Sequence, residues 1–381
     1  MQNFNFSNPV KIIFGKGTIS KIGPEAAKAG KKALLVYGGG SIKKNGVYKT
    51  VMAALTEHGI AVMEHPGVRP NPTLAHVREG VKKAKAAHCD LIVAAGGGSV
   101  IDEAKAIAAG AKYAGDVWDF FCGKAAIKSA LPLFTVLTLP ATGSEMNSGC
   151  VVTNEETKQK YAAGGPALFP VASVLDPETT LSLPREQVAC GAVDAIAHII
   201  EGYFTTTDTD NALTDELVHA LARTVIASTK RILKDPADYN ARAAMMWSAT
   251  LALNGLATCG YGGVNFINHA IEHALSAIYN IAHGAGLAIV MPAWFKHHLE
   301  TAGPARLEKF GAAVFGARGA QETIKAFEDF FKKTGAPVRL SQASIPAADI
   351  PRIAENAMGL IRMWGMKHEQ PEIEKILSGA V

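Results

Sequence analysis

The stretch Leu91-Ile-Val-Ala-Ala-Gly-Gly-Gly-Ser-Val-Ile-Asp102 decides the fold of this chain. It begins as a short apolar run typical of a buried strand, breaks at three glycines and continues into a helix predicted to end near Ala111. The same order recurs where the strand Ala33–Tyr37 runs into Gly38-Gly-Gly-Ser41, after which an amphipathic helix is predicted to about His58. Repeated strand, glycine turn and helix predict a parallel sheet in an α/β domain.

The remaining periodicity divides the chain into two domains. In the first half, strands are predicted at 10–14, 60–64, 132–139 and 171–175, a hairpin at 150–163, and helices at 20–28 and 72–87. After Leu183-Pro184 the apolar period becomes 3.6, which predicts helices near 185–204, 211–233, 237–254, 266–280, 284–300, 303–315, 320–334 and 347–361. Because 381 residues exceed one ordinary core, we predict an α/β Rossmann-like nucleotide-binding domain over 1–182 and an all-helical domain over 183–381.

Composition excludes several classes of partner. The formal charge is +4 and the basic residues are scattered, so neither nucleic acid nor a membrane surface is predicted as a partner. The five cysteines are widely spaced without a CxxC pair, which is typical of free thiols in a reducing compartment. The sequence shows no signal peptide and no run of eighteen apolar residues, so we expect a soluble cytoplasmic protein.

The two Gly-Gly-Gly-Ser turns predict phosphate binding. Glycines let the backbone approach a pyrophosphate, whose charge is met by free amides and the positive end of a helix dipole. The alternative is that any tight turn from strand to helix prefers glycine. Neither turn has the GxGxxG pattern, so the motif alone does not establish a dinucleotide fold. Pro140-Ala-Thr-Gly-Ser-Glu145 offers a third, hydroxyl-rich turn at a strand end.

A second group of residues has the pattern of a metal site. His269 and His273 stand four apart in an apolar helical stretch, and His283 follows where Asn280 and Gly284 are expected to end or bend that helix. Asp194 and His198 stand four apart in another such stretch. Any one of these histidines alone is more often a hydrogen-bonded core residue. Together they favour one shared divalent metal, because a buried carboxylate is costly without a cation.

The two predicted domains have complementary chemistry. A phosphate-binding α/β half suits a nucleotide cofactor, and a metal-binding helical half suits a metal-held substrate, so the cleft between them is the expected active site. A divalent cation polarises an aldehyde carbonyl or lowers the pKa of an alcohol, and either effect favours hydride exchange with a nicotinamide.

Over nearly its whole length the chain resembles the iron-containing (group III) alcohol dehydrogenases, most closely their butanol dehydrogenase and NADPH-dependent aldehyde reductase branch. The resemblance implies the dehydroquinate synthase-like fold and a homodimer. It rests on the order and spacing of these motifs: Phe-Gly-Lys-Gly, Tyr-Gly-Gly-Gly-Ser, Pro-Asn-Pro-Thr, Ala-Gly-Gly-Gly-Ser-Val-Ile-Asp, Leu-Pro-Ala-Thr-Gly-Ser-Glu, Val-Leu-Asp-Pro, Val-Asp-Ala-Ile-Ala-His and the stretch from His269 to His283.

The resemblance also implies residue roles. It makes Asp194, His198, His269 and His283 the ligands of one Fe²⁺ or Zn²⁺, and His273 a catalytic histidine near the nicotinamide and substrate. Family members often have His where this chain has Tyr279. The cofactor-binding residues implied are Gly38, Gly39, Ser41, Gly97, Gly98, Ser99, Asp102, Thr138, Thr142 and Lys160.

Several activities remain open within this resemblance. The family has glycerol dehydrogenase-like polyol dehydrogenases and dehydroquinate synthase-like enzymes, and a non-catalytic protein that binds metal and nucleotide is a further alternative. A sugar-phosphate substrate needs basic residues, and the motifs around Asp194 and His269 contain none. We therefore favour an alcohol dehydrogenase or aldehyde reductase acting on short- to medium-chain substrates. The turn Gly38-Gly-Gly-Ser-Ile-Lys-Lys44 lacks the acid that selects NAD, which predicts NADP(H).

Overall fold

The structure, a computed structural model, describes residues 1–381 and divides them into two compact units. Ser7–Leu183 form the α/β unit, and Met1–Phe6 join Pro184–Val381 in the helical unit. The first six residues therefore differ from the predicted division, which placed them in the first domain. The predicted fold class, a parallel sheet domain followed by an all-helical domain, is confirmed.

The α/β unit contains a six-stranded parallel sheet and a separate antiparallel hairpin. Its strands are β1 (Lys11–Phe14), β2 (Lys32–Gly38), β3 (Ala61–Val68), β4 (Leu91–Gly97), β5 (Leu133–Leu139), β6 (Gly149–Asn154), β7 (Gln159–Gly164) and β8 (Ala172–Leu175). The order in the sheet is β1-β8-β5-β4-β2-β3, and β6 pairs with β7 in the hairpin. The interior strands β2, β4, β5 and β8 are apolar and buried, as expected when helices cover both faces of a parallel sheet.

The helices of the α/β unit follow the prediction with two differences, one predicted helix that is divided and a short helix at Trp118–Phe121 that was not predicted. They are α1 (Ile22–Ala26), α2 (Ser41–Lys44), α3 (Val47–Glu57), α4 (Leu74–Ala86), α5 (Gly98–Ala111) and α6 (Trp118–Phe121). The helix predicted to run to His58 is two helices, since Gly46 lies between them with φ 85°. Helix α4 begins after Thr73, whose hydroxyl accepts the backbone N–H of His76 and caps the helix.

The strand order places the glycine turns side by side. From β2 the chain goes to β3 at one edge, and it then returns to β4 and continues through β5 in the other direction. Strands β2 and β4 are therefore neighbours, with Tyr37 paired to Ala95, and the turns after them lie at the topological switch point. In open α/β sheets this is where ligands bind, outside the carboxyl ends of the strands.

The helical unit contains nine α-helices and no strand. They are α7 (Arg185–Thr205), α8 (Ala212–Lys234), α9 (Tyr239–Ala252), α10 (Ile267–Tyr279), α11 (His283–Ala302), α12 (Ala305–Phe315), α13 (Ala320–Thr334), α14 (Ile350–Met363) and α15 (Gln370–Ser378). The first eight agree with the predicted helices, and α15 was not predicted. The central helices α7, α10 and α11 are buried over most of their length. None of the helices combines the length and the apolar composition that crossing a bilayer requires.

Candidate active site

Four side chains of ligand type from three helices meet in the interior of the helical unit. Helix α7 supplies Asp194 and His198, α10 supplies His269, and α11 begins at His283. The Oδ1 atom of Asp194 lies 3.2 Å from Nδ1 of His198. The same oxygen lies 3.8 Å from Nε2 of His269 and 3.6 Å from Nε2 of His283. All four residues that the sequence indicated are thus brought together.

The spacing of these atoms fits a divalent cation. Two atoms that each bind a tetrahedral metal at 2.1 Å lie about 3.4 Å apart, close to the distances around Asp194. Three buried atoms, Asp194 Oδ1, His198 Nδ1 and His269 Nε2, have no hydrogen-bond partner. Buried polar atoms rarely lack a partner, so this cluster is suited to a cation. Three imidazoles and one carboxylate accept either iron or zinc.

Burial and mutual attraction set the charges in this cluster. Burial opposes ionisation of Asp194, but the surrounding imidazoles outweigh it and lower the pKa to about 2. Burial lowers the pKa of His198 to about 4, so its imidazole is neutral, as a metal ligand must be. Burial also opposes protonation of His269, but Glu201 and Asp194 raise its pKa to about 9. The carboxylates therefore attract positive charge to this point, which a metal ion supplies in place of a proton.

Two backbone features place His283 beside the other ligands. Asn280 adopts φ 53° and ends α10, so the chain turns before α11 begins at His283. A Cβ on Gly284 would lie 2.0 Å from the carbonyl oxygen of Cys190, one turn before Asp194. The sequence interpretation that Gly284 ends or bends a helix is wrong, because it lies inside α11. Its role is to allow α11 to approach the backbone of α7.

Two fully buried glutamates hold the imidazoles from behind, and sequence reasoning did not identify them. Glu201 on α7 accepts the Nδ1 proton of His269, and Glu272 on α10 accepts the Nδ1 proton of His283. A carboxylate behind a metal-binding histidine fixes its tautomer and orientation, leaving Nε2 for the metal. A signal was available, since both glutamates stand three residues after a histidine ligand, in His198-Ile-Ile-Glu201 and His269-Ala-Ile-Glu272.

His273 lies next to the ligands without joining them around Asp194. It is buried one turn along α10 from His269. Its ring centroid is 5.5 Å from that of His283 and 5.9 Å from that of Trp364, which follows α14. The structure therefore places His273 at the edge of the metal cluster, beside an aromatic side chain that the sequence did not indicate.

Tyr279 is directed away from the metal cluster. Its hydroxyl donates a hydrogen bond to the carboxylate of Asp349, and burial together with this contact raises its pKa to about 12. The residue lines a cavity of about 580 Å³ whose wall also includes Glu186 and Lys332, and none of the four ligands lines this cavity. At this position the chain therefore has a tyrosine held by a carboxylate.

Most of the implied cofactor residues lie in or next to three turns at the carboxyl ends of β2, β4 and β5, and Lys160 lies on β7. In the first turn, Gly39 is exposed and a Cβ there would meet nothing within 4 Å, and Ser41 begins α2 and is also exposed. Gly38, the last residue of β2, is half-buried. This turn has open space above its backbone, as binding of a pyrophosphate requires.

In the second turn the glycines also serve the packing of the unit. A Cβ on Gly98 would lie 2.4 Å from the side chain of Thr142, and one on Gly97 would lie 2.9 Å from Leu139. The strand-to-helix turn is therefore in close contact with the third turn, and Ser99 stands half-buried in the first turn of α5. Packing thus accounts for the requirement for glycine at position 98.

Three of the implied cofactor residues have side chains that are buried within the unit. Asp102 accepts hydrogen bonds from the Ser144 hydroxyl and the Val151 amide, so both of its oxygens are used internally. Thr138 near the end of β5 and Lys160 on β7 are also buried. Asp102 is therefore placed to shape the third turn.

A buried lysine that the sequence did not indicate supports the same turn. Lys105 donates to the Ser144 hydroxyl, to Asn147 and to the Gly149 carbonyl. Burial lowers its pKa to about 8, with Asp102 opposing that shift. It stands three residues after Asp102 on α5, so both charges lie on one face of the helix.

Beside the first turn, an acidic side chain comes from the neighbouring strand. Glu64 on β3 accepts hydrogen bonds from the hydroxyls of Tyr37 and Tyr48. The ammonium of Lys43 is 3.7 Å from Glu64 and lies over both tyrosine rings, 5.2 and 4.6 Å from their centroids. Lys43 and Lys44 are both exposed, but Lys43 is held in this local cluster.

Comparisons with known proteins identify the family. Residues 9–177 match the family described as iron-containing alcohol dehydrogenase, and residues 188–381 match the C-terminal domain of the Fe-containing alcohol dehydrogenase family. The chain is 43% identical to a probable NADH-dependent butanol dehydrogenase of Bacillus subtilis, over 94% of each chain. It is 38% identical to an NADPH-dependent aldehyde reductase of Escherichia coli, over 93% of this chain and 92% of the other.

A solved structure agrees with these sequence relatives. The NADH-dependent butanol dehydrogenase A of Thermotoga maritima superposes with a TM-score of 0.96 at 47% identity, covering 100% of this chain and 99% of the other. The site described above is thus built on a scaffold shared with alcohol dehydrogenases. The chain therefore belongs to the iron-containing alcohol dehydrogenase family, in its butanol dehydrogenase branch, and is an oxidoreductase of the alcohol dehydrogenase type.

Proposed function

We propose that the chain is a metal-dependent aldehyde reductase and alcohol dehydrogenase that transfers a hydride between NADP(H) and a short- to medium-chain aldehyde or alcohol. The observation that carries this proposal is the buried cluster around Asp194, in which three ligand atoms lack hydrogen-bond partners. The names of the relatives, butanol dehydrogenases and an aldehyde reductase, support the class of substrate.

Asp194, His198, His269 and His283 would hold one divalent cation, Fe²⁺ or Zn²⁺. When bound, such a cation polarises an aldehyde carbonyl or lowers the pKa of an alcohol. Glu201 and Glu272 orient the imidazoles, which keeps the substrate-facing geometry fixed. Metal analysis of protein purified without oxygen, with activity measured after reconstitution by each metal, distinguishes iron from zinc.

His273 would contact the substrate and supply or accept the proton of the reaction. Reduction of an aldehyde consumes one hydride from the nicotinamide and one proton at the oxygen. The imidazole of His273 is buried one turn from His269 and next to His283, so it lies close to the proposed ligands. Imidazole is the side chain most often used as a general acid or base.

The nucleotide would bind over the three turns at the switch point. Backbone amides at Gly38, Gly39, Gly97 and Gly98, with the hydroxyls of Ser41 and Ser99, suit the pyrophosphate, and Thr138, Thr142, Asp102 and Lys160 would shape or contact the rest of the cofactor site. The preference for NADP(H) rests on the absence of an acid from the first turn and on the exposed Lys44. The relatives divide on this point, being named NADH-dependent and NADPH-dependent.

We propose a homodimer because one edge of the sheet is formed by an apolar, partly exposed strand. Strand β1 pairs only with β8 and forms one edge, and Phe14 at its end is 41% exposed. Phe4 and Phe6, which precede this strand, are also exposed. An apolar edge of this kind is suited to pairing across a two-fold axis. Light scattering at micromolar concentration tests the proposal, and a monomeric mass would contradict it.

The proposed activity is tested by mixing metal-loaded protein with NADPH and butanal and following the absorbance of NADPH. We expect its loss with the loaded protein and none after metal removal. If glycerol with NADP⁺ were used far better than butanol, the enzyme would be a polyol dehydrogenase. No turnover with any alcohol or aldehyde would favour a protein that only binds metal and nucleotide.

A further inference from the structure

A second cluster of two imidazoles and a carboxylate lies in the α/β unit, outside the site described above. His65 stands on β3, His76 in the first turn of α4, and Glu103 in α5. Oε1 of Glu103 is 3.1 Å from Nε2 of His65 and 2.6 Å from Nδ1 of His76. The two imidazole rings stack with their centroids 4.1 Å apart. Three separate elements therefore direct one potential ligand atom each to a single point.

The ring nitrogen of His76 that faces away from Glu103 is hydrogen-bonded to the backbone. Its Nε2 donates to the carbonyl oxygen of Pro66, 3.1 Å away, so that nitrogen keeps its proton. Its Nδ1 donates to Oε1 of Glu103, so the metal-free ring carries a proton on both nitrogens. A metal ion that binds at Nδ1 would displace that proton. A carbonyl behind a histidine in this way is a common support for metal ligands, since it fixes the tautomer.

Glu103 is fully buried, and only one of its two carboxylate oxygens has hydrogen-bond partners. Oε1 accepts from both histidines, and the buried Oε2 atom has no hydrogen-bond partner. A buried carboxylate is costly unless a cation compensates it, and an oxygen without a partner adds to that cost. The sequence gave no reason to expect a metal ligand at Glu103, because this residue directly follows the motif of the second glycine turn, which ends at Asp102.

From this geometry we propose that His65, His76 and Glu103 form a second divalent metal site, of the type that binds zinc. Two imidazoles and one carboxylate give three protein ligands, and water would complete the coordination. The side chain of His76 is 22% exposed, which gives a metal ion access from solvent to an otherwise buried site. This site is distinct from the cluster around Asp194 and is built from other elements.

Lys83 competes with the metal. Its ammonium is 3.4 Å from Nδ1 of His65, and because an ammonium only donates, Nδ1 accepts and the proton of that ring lies on Nε2, toward Glu103. Metal binding at Nε2 moves this proton to Nδ1, where it would oppose the ammonium. Lys83 is exposed and can turn into water, so the competition weakens the site without blocking it.

The test is a titration of metal-free protein with Zn²⁺ in the presence of a weak competing chelator. We expect two zinc ions per chain for the unmodified protein, with different affinities. Asp194→Asn and His76→Asn should each leave one, and the double variant none. His76 is chosen because His65 and Glu103 are fully buried. His88→Asn, a histidine of the same unit outside the cluster, should retain both ions.

Lys83→Met gives a readout that a purely structural cluster would not show. Removing the competing ammonium should tighten the weaker zinc site by about two- to fivefold, in line with the modest worth of an exposed charge. The proposal is overturned if the unmodified protein binds one zinc per chain or if His76→Asn still binds two. Unchanged or weaker zinc binding by Lys83→Met would also contradict it.

Discussion

The two units hold their functional groups in opposite ways. In the helical unit the groups are charged or polar side chains in the interior, and Asp194, His198 and His269 are each no more than 5% exposed. In the α/β unit the first nucleotide turn lies at the rim of a sheet, where Gly39 is exposed and has open space above it. One site depends on buried side chains that converge, and the other depends on backbone that is left uncovered.

This difference predicts different responses to mutation. A buried cluster has no solvent to replace a lost charge or hydrogen bond, so removal of one member affects all the others. A solvated turn can accept a new side chain, because nothing has to move to admit it. Substitutions in the helical unit should therefore abolish metal binding or weaken it strongly, and substitutions in the first turn should adjust cofactor preference with the fold intact.

The largest effect is expected for Asp194→Ala. This removes the only carboxylate among the four proposed ligands and leaves three imidazoles. Metal affinity should fall by more than about a hundredfold, since loss of a supporting contact alone costs ten- to a hundredfold, and turnover should fall with it. Metal analysis and kcat measure the two effects. Full metal content and full activity in this variant would show that the ligand assignment is wrong.

Glu201→Gln should have the next largest effect. The amide is nearly isosteric, but it no longer provides the buried negative charge that holds the Nδ1 proton of His269. We expect metal affinity to fall by about ten- to a hundredfold, measured by competition with a chelator. Glu216→Gln is the matched control, because Glu216 also bonds a histidine, His219, in the same unit but at an exposed position. Equal effects of the two changes would contradict the assigned role of Glu201.

Gly284→Ala tests whether helix contact places the ligands. The added Cβ would be 2.0 Å from the backbone oxygen of Cys190, so α11 must move away from α7. Overpacking of this kind costs about 1–3 kcal/mol, and His283 would be displaced with the helix. The Tm and the metal content should both fall. Gly319→Ala is the control, since a Cβ there meets nothing within 4 Å. An equal fall in Tm and metal content in this variant would contradict the role assigned to the contact at Gly284.

The smallest effect, a change of preference without loss of structure, is expected for Gly39→Asp. Position 39 has open space and no left-handed φ, whereas Gly40 has φ 109° and would be strained by a side chain. The new carboxylate would repel a 2′-phosphate and accept a bond from a ribose. The ratio of kcat/KM for NADPH to that for NADH should fall by at least about tenfold. A clear preference for NADH in the unmodified enzyme would contradict the proposal that it favours NADP(H).

Local sequence patterns predicted most of the architecture. Alternating strands, glycine turns and helices indicated the parallel sheet, and the 3.6 period after Pro184 indicated the helical unit. The i, i+4 pair Asp194 and His198 on one face was likewise readable, because an α-helix fixes that geometry by itself. The helix predicted to end at His58 was wrong in detail because Gly46, with its left-handed φ, divides it. α15 was missed, because periodicity over nine residues is a weak signal.

What the sequence by itself determined is therefore the set of elements and the chemical type of each candidate residue. Only the tertiary structure decided which charged and polar side chains contact one another. The partner of Glu201 is His269, 68 residues away, and the acid beside the first turn is Glu64, which comes from the neighbouring strand. The reason is physical: helical and strand periods fix directions within one element. Distances between elements depend on packing, such as the contact at Gly284 that lets His283 reach Asp194.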